Sequence, residues 1–500
     1  MNKIDSWNGC RKSVSSLLLA ACALVLGGCM VGPKYTRPAA PVPQAYREPL
    51  PDGYKEDQGW KQAQPSESVL RGKWWEIYND PALNALEEQV GISNQNVLVA
   101  AAQFREARDL VASARSNLFP ALTTGPSIIN SRQSQTIYGA GLGNLVQQRT
   151  TYAIPFNLSW EADVWGSIRR TVTSNVASAQ ASAAQLENAR LSYQATLAED
   201  YFSLHGIDGD EDLLERTTNS YVDYLQLTKD RYNAGIASDL DVAEAETQLD
   251  TTRAQLVDLA VTRAQYEHAI AVLLGKPPSG FSIPRQILTT PPPPVPVSVP
   301  SVLLERRPDI ASAERLMAAQ NEQIGIAKAA YYPTVGLSAT TGLETSTIAQ
   351  WFTWPSKYWS VGPTFSETLY DAGKRHAQLL QARDTYDATV ATYRQTVLTA
   401  FQQVEDNLAA LRILAQEAIA QDLAVKASVR ALDVSTDQYK SGIADYLTVI
   451  TSQATALSNE KTAVDLLTRR MTSSVLLVQA LGGGWESTDL PKRDAIIRGQ

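Results

Sequence analysis

A proline-free, alanine-rich stretch from Ser167 to about Arg231, repeated from Lys374 to about Lys440, constrains this chain more than any other feature. In the first copy Val172, Val176, Ala179, Ala183, Leu186, Tyr193, Leu197 and Leu204 recur mostly at steps of three and four. That is the period of an amphipathic helix with one continuous packing seam. An unbroken helix of this size reaches roughly 100 Å, well beyond the needs of an ordinary globular domain. Ala, Ser and Thr fill much of the seam and let neighbouring helices approach closely. Taken alone, the stretch also fits a coiled-coil rod or spacer.

The N-terminus reads as an export signal. Lys3, Arg11 and Lys12 precede an apolar run, and Leu26-Gly27-Gly28-Cys29 has the small residues and the thiol of a lipoprotein cleavage site. A second match, Leu19-Ala20-Ala21-Cys22, follows a shorter apolar run. Cysteines occur only at 10, 22 and 29, so cleavage before Cys29 leaves one thiol, carrying a covalent lipid, and no disulfide. The formal charge of −8 argues against nucleic acid as a partner. Beyond the signal no apolar run is long enough for a transmembrane helix, but strands remain open as a way across a membrane.

Proline punctuates the start of the mature chain from Pro33 to Pro65, as in an extended tether. Trp74, Trp75 and Tyr78 open the folded part as packing anchors, and Pro81 suits a helix start. Gly91 is expected to break that helix before a second one running to about Asn117. The period then becomes two. Tyr152, Ile154, Phe156, Leu158 and Trp160 alternate with Thr151, Ala153, Asn157, Ser159 and Glu161, the pattern of a strand with an apolar and a polar face. An incoming strand is expected near Leu122 to Ile129, with a Gly-, Ser- and Gln-rich loop between. After the long run, Gly235 can stop the helix and Ser238 or Asp239 can cap the next.

The second half repeats the first. Ala114 to Leu122 returns as Ala327 to Val335, and Arg231-Tyr232-Asn233-Ala234-Gly235-Ile236-Ala237 returns as Gln438-Tyr439-Lys440-Ser441-Gly442-Ile443-Ala444. Nine prolines within residues 277–300 read as a stiff linker between the halves. Each half is helix, strand pair, long helix, turn, helix, so one chain supplies four amphipathic strands. Four cannot close a barrel, and unpaired edges are intolerable in lipid. Three copies would supply twelve strands, an allowed barrel, with the helices as a hollow tube on the same axis. Tyr152, Trp160, Trp351, Trp354, Tyr358 and Trp359 suit aromatic belts at the membrane interfaces, and the polar strand faces suit a water-filled lumen. The competing architecture is a soluble sandwich beside a coiled coil.

Several motifs carry a family resemblance: Cys29-Met30-Val31-Gly32-Pro33-Lys34-Tyr35, Trp74-Trp75, Trp160 to Gly166, Glu305-Arg306-Arg307-Pro308-Asp309-Ile310, and the Tyr-x-x-Gly turns at 232–235 and 439–442. Over nearly the whole mature chain the sequence resembles TolC-like outer-membrane efflux factors, most closely a lipoprotein branch serving resistance-nodulation-division pumps. The resemblance implies a mixed α/β membrane protein: a trimeric twelve-stranded outer-membrane barrel continued by a long periplasmic helical barrel, with an equatorial domain. The layout is then residues 1–28 signal, 29–80 tether and start of the equatorial region, and 81–276 first repeat, with strands at about 119–165 and helices at 167–274. Residues 277–300 form the linker, 301–481 the second repeat, with strands at 332–371 and helices at 374–481, and 482–500 a flexible tail. The implied partners are two further copies, outer-membrane lipid, a periplasmic membrane fusion adaptor and an inner-membrane transporter.

The adaptor is expected at the tip turns, around Gly235, Ile236, Gly442 and Ile443. Family members narrow the duct just after these turns. Candidate constriction residues are Asp239, Leu240, Asp241 and Glu244 in the first copy, and Asp445, Leu447, Thr448 and Thr451 in the second. By the resemblance, Thr448, Thr451 and Ala454 stand where family members carry charged gate residues, a departure that speaks against a simple gate salt bridge. Carboxylates near a threefold axis would form a negative ring, while helix capping and solvation are the structural alternatives. Three scattered histidines and the absence of a phosphate loop, a His-Glu-x-x-His or a serine elbow leave no support for catalysis, and no cofactor or metal is expected. The remaining function classes are an exit duct for toxic small molecules, a duct for type I protein secretion, and a non-transport coiled-coil surface lipoprotein.

Overall fold

The computed structural model describes residues 30–43, 45–48, 72–132, 134, 148–295 and 304–498. Cys29 and the segment before it, most of the tether from residue 49 on, most of loop 130–148 and the end of the proline-rich linker lie outside these residues. After a short 3-10 turn at Trp74–Tyr78, the helices are α1 (Pro81–Ser93), α2 (Gln95–Ser116), α3 (Ser167–Asn233), α4 (Asp239–Leu273), α5 (Pro308–Ala329), α6 (Lys374–Lys440), α7 (Tyr446–Ala480) and α8 (Arg493–Arg498). The strands are β1 (Ala121–Thr124), β2 (Ser127–Ser131), β3 (Arg149–Ala162), β4 (Thr334–Thr345) and β5 (Lys357–Ser366). The two halves match closely: α3 and α6 are each 67 residues long, and α4 and α7 each 35.

The sheet is antiparallel throughout, in the order β1/β2–β3–β4–β5. β1 and β2 both pair with β3 and occupy one strand position, interrupted at Gly125-Pro126. Proline has no amide to give the ladder there. One chain therefore contributes four strand positions.

The helices stand in four columns. α3 packs against α2 and α4 on one side and against α5 and α7 on the other, and α6 packs against α5 and α7. The column order α2/α4, α3, α5/α7, α6 is the order of the strands those helices adjoin. Sheet and helices thus form one continuous wall with two free edges. Small residues make the wall thin: Ala177, Ala179, Ala181, Ala184, Ala195 and Ala198 of α3 are all buried. Gly206 lies so close to Thr468 of α7 that a Cβ would collide with it.

Two columns are built from helices butted end to end. Where α4 ends and α2 begins, the Asn94 side chain accepts from the amides of Asn96 and Val97 and donates to Leu273 O at 2.8 Å. Ser93 Oγ donates to Leu274 O. The helix expected to break at Gly91 continues to Ser93, because Asn94 supplies an N-cap that glycine cannot. Where α7 meets α5, Arg307 donates to Ala480 O at 3.0 Å, to Gln403 and to Asp309.

The linker is more than a spacer. Ile283 and Val295 are buried in the main apolar core, and the Gln286 amide donates to Asp208 of α3 at 3.0 Å. Residues 482–498, expected as a flexible tail, are ordered against the body. Gly482, Gly483 and Gly484 turn the chain with positive φ, the Gln180 side chain donates to Pro491 O, and Ile496 is buried with Val111, Val172 and Val176. The apolar spacing of so short a helix carried no signal of its own; its core partners are on α2 and α3.

Among the described tether residues, Met30 and Val31 lie against the first repeat and Tyr35, Arg37 and Glu48 reach the second. Tyr35 donates to Glu314 at 2.5 Å, Arg37 to Tyr393, and Glu48 pairs with Arg412 at 2.6 Å. Glu87 of α1 is buried without a hydrogen-bond partner for either oxygen, and burial pushes its carboxyl well above the usual range. The fold favours its neutral form, so the cost it imposes grows as pH rises above the unfolded value of 4.5. Glu87→Met is expected to stabilise the detergent-solubilised protein at pH 7 by roughly 1–3 kcal/mol. Thermal unfolding followed by circular dichroism should show that gain shrink toward pH 4.5, and an unchanged or lowered midpoint at pH 7 would contradict it.

Candidate functional site: sheet faces and helical tips

Direct cross-strand partners share a face of a sheet, so the register assigns every strand residue to one side. Leu122, Leu158, Ala339 and Val361 form one tier of the first face, flanked by tiers holding Phe156 with Trp359 and Trp160 with Leu337. The opposite face carries Thr123, Asn157, Thr340 and Ser360 in one tier and Ala121, Ser159, Ser338 and Gly362 in the next. Beyond these lie Glu161, Gly336 and Thr364 toward the helices, and Pro155, Gly342 and Tyr358 toward the hairpins. The alternation separates an apolar face from one of hydroxyls, amides and glycines.

The aromatic candidates divide between the ends. Tyr152 packs on Trp351 at 5.3 Å between centroids, and Lys357 sits 4.5 Å from the Trp354 ring, at the hairpin end. Trp359 is 72% exposed on the apolar face. Tyr358 differs: its register places it on the polar face, because neighbouring residues of a strand point oppositely. Trp160 lies at the helix end, its indole donating to Leu118 O at 3.0 Å. The eight steps of strand from Tyr152 to Trp160 span about 26 Å, close to the roughly 25 Å apolar band of an outer-membrane barrel.

The helix-end girdle is richer than Trp160 alone. Trp165 donates to Pro333 O and stacks on Tyr332 at 4.6 Å, and Phe119, Leu369 and Tyr370 are exposed nearby in sequence. These residues follow or precede strands in turns, where no periodicity exists to pick them out.

At the other end, both helical hairpins turn identically. Gly235 and Gly442 adopt φ of 75° and 74°, a left-handed conformation that suits glycine. The Ile236 amide donates to Arg231 O and the Ile443 amide to Gln438 O, each at 2.9 Å. Ile236 and Ile443 project from the tips, 66% and 77% exposed.

Several constriction candidates are occupied in capping. Ser238, rather than Asp239, is the N-cap of α4, and it forms a reciprocal capping box with Asp241. Asp445 caps α7 through the Thr448 amide and hydroxyl, which hold its carboxyl below the usual range. The Thr451 hydroxyl donates to Leu447 O. Asp239, Leu240 and Leu447 are exposed just beyond the turns, and Glu244 is half-buried one turn along α4.

A clasp between the hairpins was not foreseen. Arg231 donates to Lys440 O at 3.1 Å and lies 4.6 Å from the Tyr439 ring, which packs on Tyr446. Its signal in the sequence was a difference between repeats, since Arg231 corresponds to Gln438. Among the described residues no three of His, Cys, Asp and Glu gather as they would around a metal ion, and no helix is long and apolar enough to cross a membrane.

The helices that border the wall carry exposed apolar side chains among their charged ones. Val257, Val261 and Val272 of α4 and Leu98, Val99 and Leu110 of α2 are exposed on one edge, and Leu398, Ile413, Ile419, Leu423 and Val434 of α6 on the other.

Comparison with known proteins gives consistent matches. The family described as outer membrane efflux protein matches residues 87–276 and 299–483. The probable efflux pump outer membrane protein TtgC of Pseudomonas putida is 29% identical over 486 residues, covering 97% of this chain and 98% of that one. The solvent efflux pump outer membrane protein SrpC of the same species is 30% identical, covering 92% and 97%. The outer-membrane channel OprN has a structure that superposes with a TM-score of 0.81 at 28% identity, covering 91% of this chain and all (100%) of that one.

Proposed function

The chain belongs to the outer membrane efflux protein family, and from that premise we propose that it is the passive exit duct of a tripartite pump for drugs, solvents or similar toxic small molecules. The observation that carries this reading is the wall with matching strand and helix order and two free edges that carry exposed apolar side chains. A heterologous edge-to-edge contact repeated three times closes such a wall on itself, pairing β5 with the next copy's β1/β2. The apolar sheet face then meets outer-membrane lipid and the hydroxyl face lines water.

The columns of helices extend the tube into the periplasm, where exposed Ile236 and Ile443 offer apolar contacts to an adaptor protein. An inner-membrane transporter of the resistance-nodulation-division type supplies the energy, and the duct itself catalyses nothing. Lipidation of Cys29 fits the position of its neighbour. Met30 packs against Gly166 and the Val31 amide donates to Trp165 O, at the junction of sheet and helices. An acyl chain on the preceding residue would reach the inner leaflet there.

Accumulation of a fluorescent drug-like dye tests the reading. Cells lacking the gene are expected to retain more dye, and a restored copy to return retention to the wild-type level. Unchanged retention, in a strain with no other outer-membrane duct, together with loss of a secreted protein would move the function to secretion.

A further inference from the structure

The closed barrel that the proposed function requires has a wall of unusual charge distribution. On its polar face the middle tiers hold Asn157, Ser159, Ser338, Thr340, Ser360 and Thr364, with no ionisable group among them. Among the described strand residues only three charged ones stand on this face. Arg149 and Glu344, of opposite sign, lie near the hairpin end on the neighbouring strands β3 and β4. Glu161 stands alone at the helix end, exposed, opposite Gly336, and without an ion pair among the described residues.

Of the other carboxylates at that level, Glu367 is exposed in the turn after β5, off the strand face, and two are neutralised. Asp163 is held by Arg169 at 2.9 Å and Asp371 by Arg375 at 2.6 Å. On the reading of the chain as a threefold duct, we infer that Glu161 sets the charge preference of the barrel lumen. Three copies place a ring of uncompensated carboxylates where the helical tube opens into the barrel. The rest of the lumen wall hydrogen-bonds to solutes without sorting them by sign.

At 0.1 M salt a charge acts over about 10 Å, so the ring enriches cations locally and leaves the tips, far along the helices, electrostatically separate. Coulomb attraction across that distance in water predicts a cation-over-anion permeability ratio of about two- to four-fold. The full-length protein in a planar bilayer, under an asymmetric KCl gradient near that concentration, gives the ratio from its reversal potential.

Glu161→Gln is expected to bring the ratio to near unity while the unit conductance and heat-sensitive trimer persist. Glu161→Lys should invert it. The pair Glu161→Gln with Ser159→Glu moves the carboxylate one tier along the same face and should restore the cation preference. Asp239→Asn at the tip should leave the barrel's contribution intact. A ratio unchanged in Glu161→Gln but abolished in Asp239→Asn would place selection at the tips and overturn the inference. A wild-type protein that never conducts would overturn the duct reading itself, an outcome distinguishable from an unchanged ratio.

Discussion

Val361→Arg is expected to strip the protein from the outer membrane, whereas Ser360→Arg, one residue away, is expected to leave assembly intact. Val361 is 61% exposed in the single chain and shares a tier with Leu158 and Ala339. An arginine on the lipid face costs roughly 2–4 kcal/mol at the bilayer midplane and less toward the interfaces, and the Val361 tier lies about halfway between, so roughly 1–3 kcal/mol is expected per copy. Three copies would bear that cost three times, enough to compete with assembly. Ser360 shares its tier with Thr340 and Asn157, where an arginine points into water. The amount of heat-sensitive trimer in outer-membrane fractions, with dye retention beside it, compares the two. Equal loss in both variants, or loss in Ser360→Arg alone, would reverse the assignment of faces.

The second large effect concerns Asp208, fully buried on α3. Its carboxylate receives His205 Nδ1 at 2.8 Å, Arg263 Nε of α4 at 2.7 Å and the Gln286 amide of the linker at 3.0 Å. Burial pushes the group up, but these hydrogen bonds and the Arg263 charge outweigh it and hold the carboxyl below its usual range. Asp208→Ala leaves the partly buried Arg263 with Glu267 as its remaining ion partner, strips His205 and the Gln286 amide of their acceptor, and is expected to cost roughly 1–3 kcal/mol per chain. Urea or thermal unfolding of the purified protein measures it, and a loss under 1 kcal/mol would contradict the estimate.

The sign of the pH dependence follows from the same shift. A depressed carboxylate contributes stability above its unfolded value of 3.8 and loses it as pH falls through the folded one. The wild-type protein should therefore lose this contribution only under strongly acid conditions, and Asp208→Asn, which lacks the carboxylate, should be less stable near neutral pH and show none of this acid loss.

Periodicity and repetition carried most of the architecture. The seam through Val172, Val176, Ala179 and Leu204 marked α3 to within two residues of its end, and all four are buried. Alternation from Tyr152 to Trp160 marked the faces of β3, and the repeated Tyr-x-x-Gly turn marked both tips. What the sequence could not show depends on residues distant in the chain. Asn94 gains its meaning from Leu273, Arg307 from Ala480, and Ile496 from Val176. Ser238 displaced Asp239 as the α4 cap because Asp241, three residues on, completes the reciprocal pair. The tip clasp joins Arg231 to a backbone carbonyl, which no side-chain pattern announces.

The end-to-end junctions at Asn94 and Arg307 have a mechanical consequence. In the α2/α4 and α5/α7 columns, the tip segment and the sheet-side segment meet only through hydrogen bonds and packing. A twist applied at the tips can be absorbed there as slip, as at a knuckle. In α3 and α6 the same twist must travel along an unbroken backbone of 67 residues to the strands. The duct is thus a set of stiff torsion bars laid alternately beside jointed ones, so a turn of its far end is absorbed in one set of columns and transmitted to the strands by the other.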